Sequence, residues 1–219
     1  MSQLESPSSL LDLESTLCIG DIVFTRIPRA PFRQIAEVTG TWTNHVGVVV
    51  GFGRSGAVVA ESRVPLSCHS RFSRFVRRSA QRRVAVLRLP RSLTEREIAR
   101  LQRAVASRLG RIYDTGFDLR SEHRQFCSRF VREVLEEATD ENLGEVMTFA
   151  DLLARNPDVD LRLWKAWYFG RIPWQRMTVT PASLYRSPAL TVVFDGRVGA
   201  RVPGPREPGA TMRSSRLAD

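Results

Sequence analysis

Two β-branched runs joined by a glycine-rich turn constrain this chain more than any other feature. His45-Val46-Gly47-Val48-Val49-Val50 leads into Gly51 to Gly56 (GFGRSG), and Ala57-Val58-Val59-Ala60-Glu61 returns. Valine suits the pleated, half-buried surface of a strand. The spacing and the turn chemistry predict a hairpin. A charged residue, Glu61, breaks the apolar pattern at the end of the second strand. Adjacent strands bring their side chains together across the pair, so His45 and Glu61 come within reach of each other.

Further strands are expected at Ile22-Val23-Phe24-Thr25, after the turn-like Gly20-Asp21, and at Val84 to Leu89, stopped by Pro90. Thr191-Val192-Val193-Phe194 is a candidate fifth. Helices interleave. Thr94-Glu95-Arg96-Glu97 has the form of a capping box, with Leu93 and Ile98 placed as a hydrophobic staple. Ile98, Leu101, Val105 and Leu109 then share a face, and Gly110 is the expected stop. A second helix is expected from about Cys127 to Thr139, with Val131, Val134 and Ala138 as its apolar stripe and Cys127 in its first turn.

A chain of 219 residues with 42% hydrophobic and 26% charged residues has the balance of a globular domain, which excludes disorder along its whole length. Residues 1–17 read as a partly ordered leader and 18–195 as the domain. Residues 196–219, rich in Gly, Pro, Arg and Ser, read as a disordered tail. The first residues lack a basic segment, and no apolar run is long enough to span a bilayer, so a cytoplasmic location is expected. The three cysteines, Cys18, Cys68 and Cys127, are too few and too scattered for a disulfide framework or a zinc site. With no phosphate-binding or dinucleotide signature either, no metal and no cofactor are expected.

The net charge of +10 invites a nucleic-acid reading. The charge is local, however. Nine arginines and no acid lie between Ser62 and Thr94, and the rest of the chain is close to neutral.

Cys127 is the candidate nucleophile. The positive end of a helix dipole favours a thiolate in the first turn. A catalytic thiolate also needs an imidazole to move the proton. His69 and His123 lie in arginine-rich, loop-like sequence, whereas the sheet fixes His45, which is therefore the candidate base. Glu61 is the candidate orienter of its ring. Singly, each residue has a plainer reading, as a buried helix cysteine, a satisfied sheet histidine or a strand end. Pattern alone leaves both readings open.

Four segments carry a resemblance: Gly20-Asp21-Ile22-Val23-Phe24, Asn44-His45-Val46-Gly47, Val59 to Leu66, and Gln125-Phe126-Cys127-Ser128-Arg129-Phe130-Val131. They resemble the YebB/YiiX-like permuted papain-fold enzymes of the NlpC-type superfamily of cysteine peptidases and amidases. Ile172-Pro173-Trp174 and Thr178 to Leu184 look like the YebB branch. The resemblance covers about Gly20 to Phe194. It implies an α+β fold, circularly permuted and papain-like, with an antiparallel sheet packed against helices. In that permutation the histidine strand precedes the cysteine helix, as His45 precedes Cys127. The resemblance further implies a catalytic set of Cys127, His45 and Glu61, and a structural role for Asp21. Tyr113 and Ser128 are its candidates for contact with substrate or oxyanion.

The leading expectation is a cysteine amidase or peptidase acting on a small amide. A thiol acyltransferase or lipid deacylase is the alternative within the superfamily, with a small-molecule, peptide or acyl substrate. A non-enzymatic, arginine-rich binder of nucleic acid or anionic surfaces is the third reading. It needs aromatics interleaved with the cations, and only Phe72 and Phe75 lie in the basic stretch, so no nucleic-acid partner is expected. If Ser70 to Ala80 is helical, Arg71, Arg74 and Arg78 share an exposed face with at most weak attraction to anionic membranes. Leu163 to Gln175 holds three of the four tryptophans. It is either a hydrophobic plug under a loop or a pocket wall.

Overall fold

In the computed structural model, which describes residues 9–199, the valine-rich runs build the middle of a sheet apolar on both faces. The chain begins with α1 (Leu10–Ser15), β1 (Ile22–Thr25), α2 (Ala30–Val38), β2 (His45–Gly53), β3 (Gly56–Glu61), β4 (Cys68–Arg71) and α3 (Phe72–Arg77). It continues through β5 (Arg83–Arg88), α4 (Glu95–Ala106), β6 (Ile112–Tyr113), β7 (Arg124–Gln125), α5 (Cys127–Thr139), β8 (Val146–Thr148) and α6 (Phe149–Arg155). Last come α7 (Arg162–Trp167), β9 (Met177–Val179), α8 (Pro181–Tyr185) and β10 (Thr191–Arg197). The main sheet has six strands in the order β10-β5-β1-β2-β3-β4, every neighbour antiparallel.

The period of two along each strand separates two cores. Ile22, Phe24, Val46, Val48, Ala85 and Leu87 pack with α4 and α5. Val23, Val49, Val59, Val84 and Val86 pack on the other side with Phe72, Phe75 and Val76. The hairpin pairs Val48 with Ala60 and Val49 with Val59, and a bulge follows before Gly51. In α5, Phe130, Val131, Val134, Leu135 and Ala138 are wholly buried. At roughly 1.5–3 kcal/mol for each large side chain, this face holds the helix, and so Cys127, against the sheet. Asp140 ends α5 in the left-handed region, at φ 62°.

The capping box at Thr94 forms, with Thr94 Oγ1 accepting from the Glu97 N–H and Glu97 Oε2 accepting from the Thr94 N–H at 2.8 Å. The helix it starts stops at Ala106, a turn earlier than the apolar spacing predicts. There the Ser107 hydroxyl takes up the Ala104 carbonyl, and Gly110, at φ 76°, redirects the chain.

Both ends of the described residues join the second core. Residues 9–17 of the segment read as a leader contribute α1, with a capping box between Ser9 and Asp12, and bury Leu13 and Leu17. Glu14 accepts the Ala57 N–H at 2.8 Å. At the other end, β10 runs two residues past the expected boundary at Asp195, and Val198 is buried. The rest of the expected tail, 200–219, lies outside the described residues, as do residues 1–8 of the leader.

The basic segment differs from expectation. The helix spans only Phe72–Arg77, and Arg71, Arg74 and Arg77 are exposed. Arg78 does not share that face. It turns inward, with its guanidinium over the Phe75 ring at 5.2 Å and on the Glu61 carboxylate at 2.6 Å. A buried carboxylate needs a partner, and this arginine is within reach.

Candidate active site

Cys127 is the first residue of α5 and is 2% exposed. Phe126, at the N-cap, has no side chain to satisfy the first-turn N–H groups, and no acid lies in that turn. The positive end of the helix is therefore left for the sulfur. Short pairings fix the approach to it. Tyr113 and Gln125 are parallel neighbours on β6 and β7, and the Gln125 carbonyl accepts from the Asp114 N–H and from the Ser62 hydroxyl.

His45 opens β2 and Glu61 closes β3. Glu61 Oε2 lies 2.7 Å from His45 Nε2. The other oxygen, Oε1, accepts from Ser70 Oγ at 2.5 Å and Arg78 Nη2 at 2.6 Å. The imidazole stacks on Phe75, with ring centres 5.3 Å apart and planes 29° apart. Gly47 makes this packing possible. A Cβ there would meet Val59 Cγ1 at 2.6 Å, with Ala60 O and Phe75 Cε2 at 3.0 Å. Asn44, buried beside His45 in sequence, accepts from the Ile27 N–H and donates to the Ile27 and Phe32 carbonyls, so it ties the loop before α2 to the start of β2.

The protonation states follow from these contacts. Burial pushes the Cys127 thiol up, but the imidazole, the Tyr113 hydroxyl and the Val46 backbone N–H outweigh it, and the thiol is lowered. Burial opposes the imidazolium of His45. The thiol and Glu61 overcome this and raise its pKa to about 9. Burial likewise opposes the Glu61 carboxylate, whereas His45, Arg78 and Ser70 hold it at about 2. The arrangement favours a thiolate and an imidazolium, with a carboxylate behind the ring. With Nε2 on Glu61, His45 Nδ1 has no closely bonded partner among the described residues, which leaves that nitrogen for the Cys127 thiol.

Tyr113 Oη lies 4.0 Å from Cys127 Sγ. The ring is held edge-on by Phe32 and Phe117. Burial and the nearby thiol push the phenol well above its usual range, so it stays a proton donor. The Ser128 hydroxyl is committed elsewhere, donating to Val179 O at 2.8 Å and pinning α5 to β9. Asp21 is buried on the far side of β1, where it binds Arg88 through both oxygens at 2.6 and 2.8 Å. His69 and His123 are exposed, as is Cys18.

Cys127, Tyr113 and Ser128 also line a pocket between α2, α6, α7 and β9. Its other walls are mostly apolar and include Phe117, Phe149, Leu152, Trp164, Tyr168 and Trp174, with Asn44 and three threonines among the polar residues. The free space between its lining atoms is about 720 Å3, open mouth included. The tryptophan-rich segment is thus a pocket wall. Sequence reasoning missed Ser70, Phe75 and Arg78, because nothing marks one arginine in a run of nine as the partner of a distant carboxylate.

Among the described residues, no three His, Cys, Asp or Glu side chains gather as a metal-ligand set, and no helix is long and apolar enough to cross a membrane. Comparison with known proteins agrees with the fold. The chain is 26% identical over 174 residues to the uncharacterized protein YiiX of Escherichia coli K12, which covers 80% of this chain and 84% of that one. A solved structure described as the metalloprotein yiiX of Escherichia coli O157:H7 superposes with a TM-score of 0.74 at 25% identity, over 82% of this chain and 97% of that one. The family of permuted papain-like amidase enzymes, YaeF/YiiX (C92), matches residues 16–194, and the chain belongs to that family.

Proposed function

We propose that the protein is a cysteine hydrolase in which Cys127, His45 and Glu61 cleave the bond between an acyl group and its leaving group. The observation that carries this reading is the buried His45–Glu61 pair, 2.7 Å apart, together with a buried cysteine in the first turn of α5. The Cys127 thiolate attacks the acyl carbonyl. The Cys127 backbone N–H and the Tyr113 hydroxyl are the donors for the oxyanion; removing one such donor typically costs about 3 kcal/mol of barrier. The His45 imidazolium gives its proton to the leaving amine or alcohol. The neutral imidazole then takes a proton from water, which attacks the thioester, releases the acid and restores the Cys127 thiolate and the His45 imidazolium. Glu61 stays ionised and holds the ring in one orientation.

The apolar pocket at Cys127 favours an acyl group with a hydrocarbon part over a small polar amide. That supports the deacylase or acyltransferase alternative as the finer reading of the same chemistry. The binder reading loses its aromatic platform, because Phe72 and Phe75 are both in the core. The test is intact-mass analysis after exposure to a series of activated acyl esters of increasing chain length. The expected result is a single acyl adduct on Cys127, lost in Cys127→Ser. Adducts shared evenly with Cys18 and Cys68 would contradict the assignment.

A further inference from the structure

We propose that the segment around α7 is an interfacial anchor: Trp167, Phe169 and Trp174, flanked by Lys165 and Arg171, dock the protein on an anionic lipid bilayer. Phe169 is 94% exposed and sits in the left-handed region at φ 49°. That conformation is disfavoured for a bulky L-residue, and no packing of the ring offsets it. The backbone around it is nonetheless tied down. The Gly170 N–H donates to Lys165 O at 2.7 Å and the Arg171 N–H to Tyr168 O at 2.9 Å. Trp167 Nε1 and the Tyr168 hydroxyl donate to the Thr115 and Gly116 carbonyls. A fixed turn therefore holds an aromatic ring out in solvent. Trp167 and Trp174, each 37% exposed, are on the same segment.

Charge identifies the occupant. No acid occurs between Asp160 and Asp195 in the sequence. Arg162 is taken by Asp160 at 2.7 Å, and Lys165 also acts on that carboxylate, but Lys165 and Arg171 are exposed and neither forms a direct ion pair among the described residues. Exposed aromatics beside exposed cations match the headgroup region of an anionic bilayer, where rings sit at the apolar boundary and cations at the phosphates. The same segment supplies Trp164, Tyr168, Ile172 and Trp174 to the apolar pocket, so docking would bring that pocket to the level of the acyl chains. The α3 face lacks such an anchor, since its phenylalanines are buried. The proposal does not depend on the chemistry at Cys127.

The test is co-sedimentation of the full chain with phosphatidylcholine vesicles, with and without phosphatidylglycerol, and quenching of tryptophan fluorescence by brominated acyl chains. Binding should rise with the anionic fraction, with quenching, and be the same in Cys127→Ala. Phe169→Ser should lower the partition coefficient about tenfold without changing the melting temperature, because the ring packs against nothing. Lys165→Glu with Arg171→Glu should lower it at least about 25-fold, at roughly fivefold for each cation. Binding indifferent to phosphatidylglycerol would overturn the proposal. So would binding that survives Phe169→Ser but is lost in Arg74→Glu with Arg77→Glu, or vesicle-free self-association that Phe169→Ser abolishes.

Discussion

Cys127 stands between two walls built by different physics. On one side every polar atom of Glu61 is assigned: one oxygen faces the imidazole, the other Ser70 and Arg78. Phe75 packs against both the imidazole and the Arg78 guanidinium. On the other side lies a narrow pocket of aromatic and aliphatic groups with few polar atoms. The first wall is over-determined, and altering one member leaves a buried charge without its partner. The second is held by dispersion and shape, and it tolerates changes of volume. The difference separates two tasks. In the proposed hydrolase, the polar wall would set the protonation state of the thiol, and the apolar wall would select what reaches it.

The comparison breaks hardest at Glu61. Glu61→Gln removes the charge that pairs with both His45 and Arg78, and the expected loss is about 3–5 kcal/mol of stability, read by denaturant melts. Its pH dependence carries a sign. Glu61 is held at about 2, below its ordinary value, so its contribution is present above the unfolded pKa near 4.5 and is lost as pH falls toward 2. His45 is raised to about 9, so its contribution is complete below 6.5 and is lost as pH rises through 9. The variant should lose the acid-side decline and shift the alkaline one to lower pH. Unchanged melts across pH would mean that the polar wall is not charged as described. A smaller effect is expected on the other wall. Leu153→Trp narrows the pocket from a half-buried position, and it should shift acylation of Cys127 from long toward short acyl esters by about 10–100-fold in rate ratio, with stability near wild type. An equal slowing of all chain lengths would remove the pocket from substrate selection.

How much of this was legible follows from the range of each interaction. The hairpin, the helix from Cys127 and the capping box at Thr94 are local patterns that all form, although β2 runs on to Gly53 and β3 starts at Gly56, so the turn expected over Gly51 to Gly56 shrinks to Arg54-Ser55. His45 and Glu61 were legible as neighbours because they belong to adjacent strands, and Cys127 because of its helix position. Arg78 was not: the choice among nine arginines depends on where Glu61 sits after β3 folds. Nor was the role of Gly47, whose missing side chain matters only once Phe75 slides beneath it. The pocket joins α2 to segments more than 100 residues later, and no periodicity encodes that.

In the proposed site, Cys127 carries a thiolate stabilised by His45. The direct measurement is the rate of iodoacetamide alkylation at each cysteine as a function of pH, resolved by mass spectrometry, with Cys18 and Cys68 as internal references. Their burial differs from that of Cys127, so the comparison rests on the pH profile rather than the absolute rate. The account predicts that Cys127 alkylation stays level well below the range in which Cys18 loses its reactivity, and that His45→Ala moves the Cys127 profile upward to or past that of Cys18. A Cys127 profile that rises at the same pH as Cys18 in the wild-type protein, and does not move in His45→Ala, would contradict it.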